Sequence, residues 1–299
     1  MQANAAFRKM RMWRTNSKLF RLSPIEKFAA VLLVLLSIFM LMPLVFIFNN
    51  ALKPYQELFL YPPTIFVENP SFQNFLELWA ITKNSAVPMT RYIFNSVLVA
   101  ALTVVAVTAV SALCAYAISK HKFPGHKAVF AAILLTLLFA PETVAIPRYL
   151  VVSQLGIMNT YFGHVFPMVA VPTGVFLMKQ FIDQLPNELI DAAKMDGAGE
   201  MTIFMNIVIP FCLPAVATIG IIAFQNAWGN TETSSLFMQE ESMKTFPFFI
   251  STLTSNMANN VARQGAAAAA GLLMFLPNLI IFLAFQNKVI NTMAHSGIK

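Results

Sequence analysis

The sequence predicts an all-α integral membrane protein with six transmembrane helices and both ends in the cytoplasm. Three observations carry that reading. Of 299 residues, 58% are hydrophobic and only 11% are charged, with a mean hydropathy of +0.67. A soluble domain carries about 25% charged residues. Six apolar runs approach the roughly 20 residues that a helix needs to cross ~30 Å of hydrocarbon. Lys and Arg are concentrated in alternate connections, as the positive-inside rule requires.

Taken in order, the chain opens with a basic tail, 1–27, holding Arg8, Lys9, Arg11, Arg14, Lys18, Arg21 and Lys27. Such a cluster reads as a cytoplasmic tail or as a nucleic-acid-binding arm. The adjoining span favours the tail, and no nucleic-acid partner is expected. The first apolar run, 28–48, is about twice a signal-peptide core, and no small-residue cleavage site follows, so it reads as span one. Spans two to six follow at 92–118, 128–146, 161–178, 207–227 and 266–285. Pro141 and Glu142 interrupt the third, and the fourth is barely long enough.

With the amino end inside, the inner connections carry Lys120, Lys122 and Lys127, then Lys179 and Lys194, then Lys288 and Lys299. Outer segments and span ends carry Lys53, Lys83, Arg91, Arg148, Lys244 and Arg263. The outer loop 49–91 contains Tyr55, Phe59, Tyr61, Pro62, Pro63 and Trp79, which suit packing on the membrane surface. The outer loop 229–264 is polar, with Glu232, Glu240 and Glu241. It reads as a solvated spacer or as a partner contact.

Within the spans, ionisable residues are costly and count as functional candidates. They are Glu142 and, at the outer end of span three, Arg148. Each either lines a solute path or pairs near the outer interface. Asn226 and Trp228, at the outer end of span five, offer a hydrogen bond and a stacking ring to a solute. An interfacial aromatic anchor is the other reading of Trp228. The small-residue run Gly265–Gly271 permits close helix approach, within the chain or to a partner. Cys114 and Cys212 lie in apolar runs without metal-ligand spacing, and the four histidines are scattered, so no metal is expected. No G-x-x-x-x-G-K-[ST] occurs, which excludes ATP binding by that route.

The inner connection 179–206 is the most informative. Asn187 suits an N-cap, Glu188 the first turn, and Gly197 the C′ position, which predicts a helix of about two to three turns in water. Ala192 and Ala193 make one side of it narrow. From local physics this is either a capped loop helix or a peg that docks in a cleft.

Asp191-Ala192-Ala193, three residues, Gly197, nine residues, then Ile207-x-Ile209-Pro210 resembles the EAA loop of permease subunits of ABC importers. Asp191 replaces the usual Glu, and Ile209 the usual Leu. Pro186, Glu188, Leu189, Asp196 and Ala198 are similar to the carbohydrate-importer branch, including maltose-type permeases. Further likenesses are Asn95-Ser96, Ala115-Tyr116-Ala117, Leu155-Gly156, Asn159-Thr160-Tyr161 and Gln286-Asn287-Lys288. Trp228-Gly229-Asn230 departs from the family's Trp-Asn-acid wording, which leaves a ligand role for that Asn open. The resemblance covers roughly 28–299.

It implies a type I ABC importer bundle in the plasma membrane, with Glu188, Asp191, Ala192, Ala193, Asp196 and Gly197 in a helix that couples to ATPase subunits. It implies two such ATPases carrying ATP and Mg, a second permease subunit in a heterodimer, an extracytoplasmic solute-binding protein touching loop 229–264, and a carbohydrate, oligosaccharide, as cargo. No cofactor is then bound by this chain, and its role is transport, not catalysis. The alternatives are an importer of glycerol phosphate, an amino acid or a peptide, an ion-coupled secondary carrier, or a non-transporting scaffold.

Overall fold

The computed structural model describes residues 23–58, 60, 64, 66–83, 87–257 and 264–296. Most of the basic tail and Phe59, Tyr61, Pro62, Pro63, Arg263 and Lys299 lie outside them. All regular structure among these residues is helical.

Helix α1 (Pro24–Leu52) opens with a reciprocal cap. The Glu26 N–H donates to Ser23 Oγ at 3.3 Å, and the Ser23 N–H to Glu26 Oε2 at 2.7 Å, with Pro24 at the first position. It buries Ala51 alone and packs chiefly on the last helix. After the short α2 (Tyr55–Leu58), α3 (Gln73–Lys83) crosses the outer end of α1. The buried Asn74 amide donates to the Asn50, Ala51 and Lys53 carbonyls, which satisfies the otherwise orphaned end of α1. Exposed Leu76 and Trp79 of α3, with Phe72 just before it, lie on one side, consistent with the surface packing expected of this loop.

Helix α4 (Met89–Lys120) is the central post, packed chiefly against the later helices Leu213–Trp228, Pro172–Asp183 and Tyr161–Val169. The expected third span is broken: α5 (His126–Thr136), a 3-10 turn (Pro141–Val144) and α6 (Ala145–Gln154) bend by 108°. Thus the interruption at Pro141 and Glu142 is a corner, and the segment runs past 146. The fourth is also bent, by 53°, between α7 (Tyr161–Val169) and α8 (Pro172–Asp183). Pro172 has no N–H to continue α7 but suits the first turn of α8.

A short inner helix, α9 (Asn187–Met195), leads to the fifth segment. There α10 (Glu200–Ile203), a π turn (Phe204–Val208) and α11 (Ile209–Phe211) meet α12 (Leu213–Trp228) at 82°. Pro210 and Pro214 remove two helical donors around that corner. Helices α13 (Glu232–Phe237) and α14 (Phe246–Met257) fill the outer loop, and α15 (Gln264–Ser296) closes the chain. Three straight helices and three bent pairs are long and apolar enough for up to six crossings among the described residues.

Two apolar clusters organise the bundle. One joins Val107, Ala112 and Ala115 of α4 to Met178 and Ile182 of α8, Ile190 of α9 and Ala215 and Ile219 of α12. The other, towards the outer end, joins Tyr92, Ala100, Trp228, Phe246, Ile250 and Ala270. Buried Ala266, Ala269 and Ala270 show that the small-residue run serves packing within the chain.

Candidate functional site

Helix α9 hangs between two bends, at the end of the bundle that the Lys and Arg distribution assigns to the inside. Its start differs from expectation. Pro186 holds the N-cap position without a side-chain bond, and Asn187 is the first helical residue. The Asn187 Oδ1 instead accepts from Lys120 Nζ at 2.9 Å, and the same ammonium donates to the Leu185 carbonyl at 2.6 Å. Its end is as expected. Gly197 has φ +81°, with Gly197 N–H donating to Lys194 O at 3.0 Å and Ala198 N–H to Ala193 O at 2.9 Å. These two bonds make a Schellman stop.

The helix turns one face inward and one outward. Ile190 is buried and Ala193 packs on the inner cluster. Glu188, Asp191, Ala192, Asp196 and Gly197 are exposed. The two alanines therefore do different work, with Ala192 alone presented outward. Leu189 and Met195 flank it and are 50% and 88% exposed. Two large apolar side chains on an otherwise charged, water-facing helix make a surface suited to a partner. Sequence reasoning cited Leu189 only as part of the family wording and missed Met195; the signal was an amphipathic pattern with an apolar residue left over on each side of Ala192.

A second clip fixes the end of α9. Glu200 accepts from Tyr116 Oη at 2.8 Å and pairs with Lys194 at 2.7 Å, and His121 lies 3.6 Å away. Lys179 and Ser119 both meet Asp183 beside it. Neither Glu200 nor Tyr116 had been singled out for this role.

The residues proposed for a solute path are dispersed. Glu142 is exposed in its 3-10 turn, and Asn226 is exposed near the outer end of α12. Arg148 pairs with Glu232 at 3.2 Å and donates to Pro141 O at 3.1 Å. Trp228 is buried, and its indole N–H already donates to Met274 O at 3.0 Å. Its ring stacks on Phe224 and lines an apolar cavity of about 470 Å³ with Val97, Ala101, Gly220 and Ile281. Among the described residues, no cluster of side chains suits a metal ion.

The outer loop is a fitted cap, not a loose spacer. Asn95 Nδ2 donates to Ser242 O and Lys244 O at 2.8 and 2.9 Å, and Phe246 N–H to Ser96 Oγ at 2.7 Å. Buried His164 lies within hydrogen-bonding distance of Thr233 Oγ1 and Met243 O. Asn159, at φ +55°, accepts from the Gln239 and Glu240 N–H groups.

A helical bundle of up to six apolar spans, with a short helix braced from both ends, has the form of a multi-span membrane protein. Residues 25–289 match the family described as "Binding-protein-dependent transport system inner membrane component", and the chain belongs to it. It is therefore a multi-pass inner-membrane protein. It is 30% identical over 238 residues to the melibiose/raffinose/stachyose import permease protein MelC of Bacillus subtilis (strain 168), covering 79% of this chain and 83% of that protein. It is 30% identical over 273 residues to the sn-glycerol-3-phosphate transport system permease protein UgpE of Yersinia enterocolitica, covering 91% and 97%. Its fold resembles a chain in the crystal structure of a bacterial ABC transporter involved in import of the acidic polysaccharide alginate. There the TM-score is 0.75 at 20% identity, over 89% of this chain and 98% of that one. Family membership replaces the secondary-carrier and scaffold alternatives.

Proposed function

We propose that this chain is a membrane-spanning subunit of an ATP-driven importer for a carbohydrate, with an oligosaccharide as cargo. The observation that carries it is the Schellman-terminated helix α9, whose Asp191-Ala192-Ala193 and Gly197 keep the EAA-like spacing, with Leu189 and Met195 exposed on either side of Ala192. In this reading, Glu188, Asp191, Asp196 and Gly197 frame that surface, and Ala193 seats the helix on the bundle. Two ATPase subunits hold ATP and Mg, and one of them receives the peg in the cytoplasm, where both termini also lie. A second permease completes the path, and a solute-binding protein meets the outer cap.

ATP binding shifts the assembly only through its different affinity for the inward-open and outward-open states. Closure of the ATPases draws on α9 and tilts the spans to open the path outward; hydrolysis reverses this. Sugar-importing relatives support the cargo class. The glycerol phosphate permease, at equal identity, favours that solute as the second reading.

Purification of the chain from its native membrane should bring down a P-loop ATPase and a second multi-span chain. Uptake of labelled raffinose and of glycerol 3-phosphate, compared with a strain lacking the chain, separates the two cargo readings. Glu142→Gln asks whether that carboxylate lines the path; unchanged uptake at normal surface expression removes it.

A further inference from the structure

We propose that α4 is the rod that carries motion between the inner coupling helix and the outer cap, and that Lys120, Tyr116 and Glu200 are its inner positioning residues. This inference rests on the coupling reading of α9 given above. The chain-adjacent route from α9 to the outer face passes through α8 and α7, bent by 53°, on one side. On the other it passes through the π turn and α12, bent by 82°. Each bend is a place where displacement is absorbed. By contrast, α4 is one unbroken helix of 32 residues, about 48 Å long at 1.5 Å per residue. It contains neither proline nor glycine.

Both of its ends are tied by polar bonds to the elements that must move together. At the inner end Lys120 holds the start of α9 through Asn187 Oδ1 and through Leu185 O just before the helix. Tyr116 holds the last turn through Glu200, which grips Lys194. Bonds at both ends of α9 stop it pivoting on α4, so a pull on the peg becomes a displacement of the post. At the outer end, Asn95 and Ser96 are buried and bond three successive parts of the cap, at Ser242, Lys244 and Phe246. Tyr161 Oη in turn donates to Asn95 Oδ1 at 2.9 Å, which fixes the amide's orientation. Between the ends, α4 packs against both α8 and α12, so it moves the body of the bundle as well.

The test uses the whole transporter in liposomes, with ATP, Mg and vanadate as the trapping probe. Gln239, exposed on the cap, is replaced by Cys, and its reaction with a charged maleimide is followed by mass shift of this chain. Trapping should change the labelling rate by about fivefold, the lower range of ordinary coupling between sites. Tyr116→Phe with Glu200→Gln should abolish that change while trapped nucleotide stays at its normal amount. The pair leaves the ring at position 116 on Phe204, so folding is preserved. With Tyr116 intact, Lys194→Glu with Glu200→Lys re-forms the ion pair and lets the new ammonium donate to Tyr116 Oη, so the response should be kept in part. A response that survives loss of the inner clip overturns the rod, as does an unresponsive cap in the unmutated complex that has trapped nucleotide. Failure of the complex to contain an ATPase, or to trap nucleotide at all, overturns the coupling reading instead.

Discussion

Replacement of Gly197 tests the geometry of the coupling helix. An added Cβ there meets no atom within 4 Å, yet the backbone sits at φ +81°. Within this chain the cost is therefore conformational. A left-handed residue other than Gly costs about 1–2 kcal/mol, least for Asn and most for a β-branched side chain. Relaxing that strain breaks the Gly197–Lys194 and Ala198–Ala193 bonds and unwinds the last turn, which carries Met195 and Lys194. A shift of 1–2 kcal/mol reduces the fraction of correctly ended helix about 5- to 30-fold. The expected order of damage is Val greater than Ala greater than Asn. ATPase stimulation and uptake by the reconstituted complex should follow that order, with Val abolishing stimulation while membrane insertion is normal. If Asn is as harmful as Val, the lesion is steric contact with a partner surface and the backbone argument fails.

Three further outcomes follow from packing and charge. Gly174→Val places Cβ 2.7 Å from Ser111 Oγ and 3.4 Å from Ile219 Cγ2. It should destabilise the α4–α8 contact by about 1–3 kcal/mol, partly relieved by Ser111→Ala in a thermal melt of the complex. Trp228→Phe removes the bond to Met274 and should cost roughly 1 kcal/mol in the same melt with uptake retained, whereas loss of uptake alone would return Trp228 to the solute path. Burial pushes the Glu57 carboxyl up, but the Glu68 and Asn69 N–H groups, the Asn69 amide and Lys53 outweigh it and hold it below the usual range. The stability it adds is present above the ordinary carboxylate pKa and is lost as pH falls through the lowered native value; Glu57→Gln should flatten that acid slope in limited proteolysis of the outer segment.

Continuous apolar runs gave away the helices that are straight. Spans at 28–48, 92–118 and 266–285 sit inside α1, α4 and α15. The bends were less legible, because a proline in an apolar run is compatible with a spanning helix, and hydropathy carries no direction. Pro167, Pro172, Pro210 and Pro214 were all visible, but which of them turned the chain depended on packing. The end of α9 was readable because a glycine stop is local. Its clips were not, since Tyr116 and Glu200 are 84 residues apart and Lys120 and Asn187 are 67 apart; nor was the outer cap, where Asn95 meets Ser242 across 147. Trp228 was legible as an outer-end aromatic, but the carbonyl it reaches belongs to α15.

Crosslinking from Ala192→Cys tests the central claim most directly, because Ala192 is the exposed member of the alanine pair. In native membranes, a short bifunctional reagent should join this chain to a nucleotide-hydrolysing subunit, and vanadate trapping should alter the yield. Labelling of that cysteine from outside intact cells, or capture of no ATPase at normal expression of the complex, would contradict it.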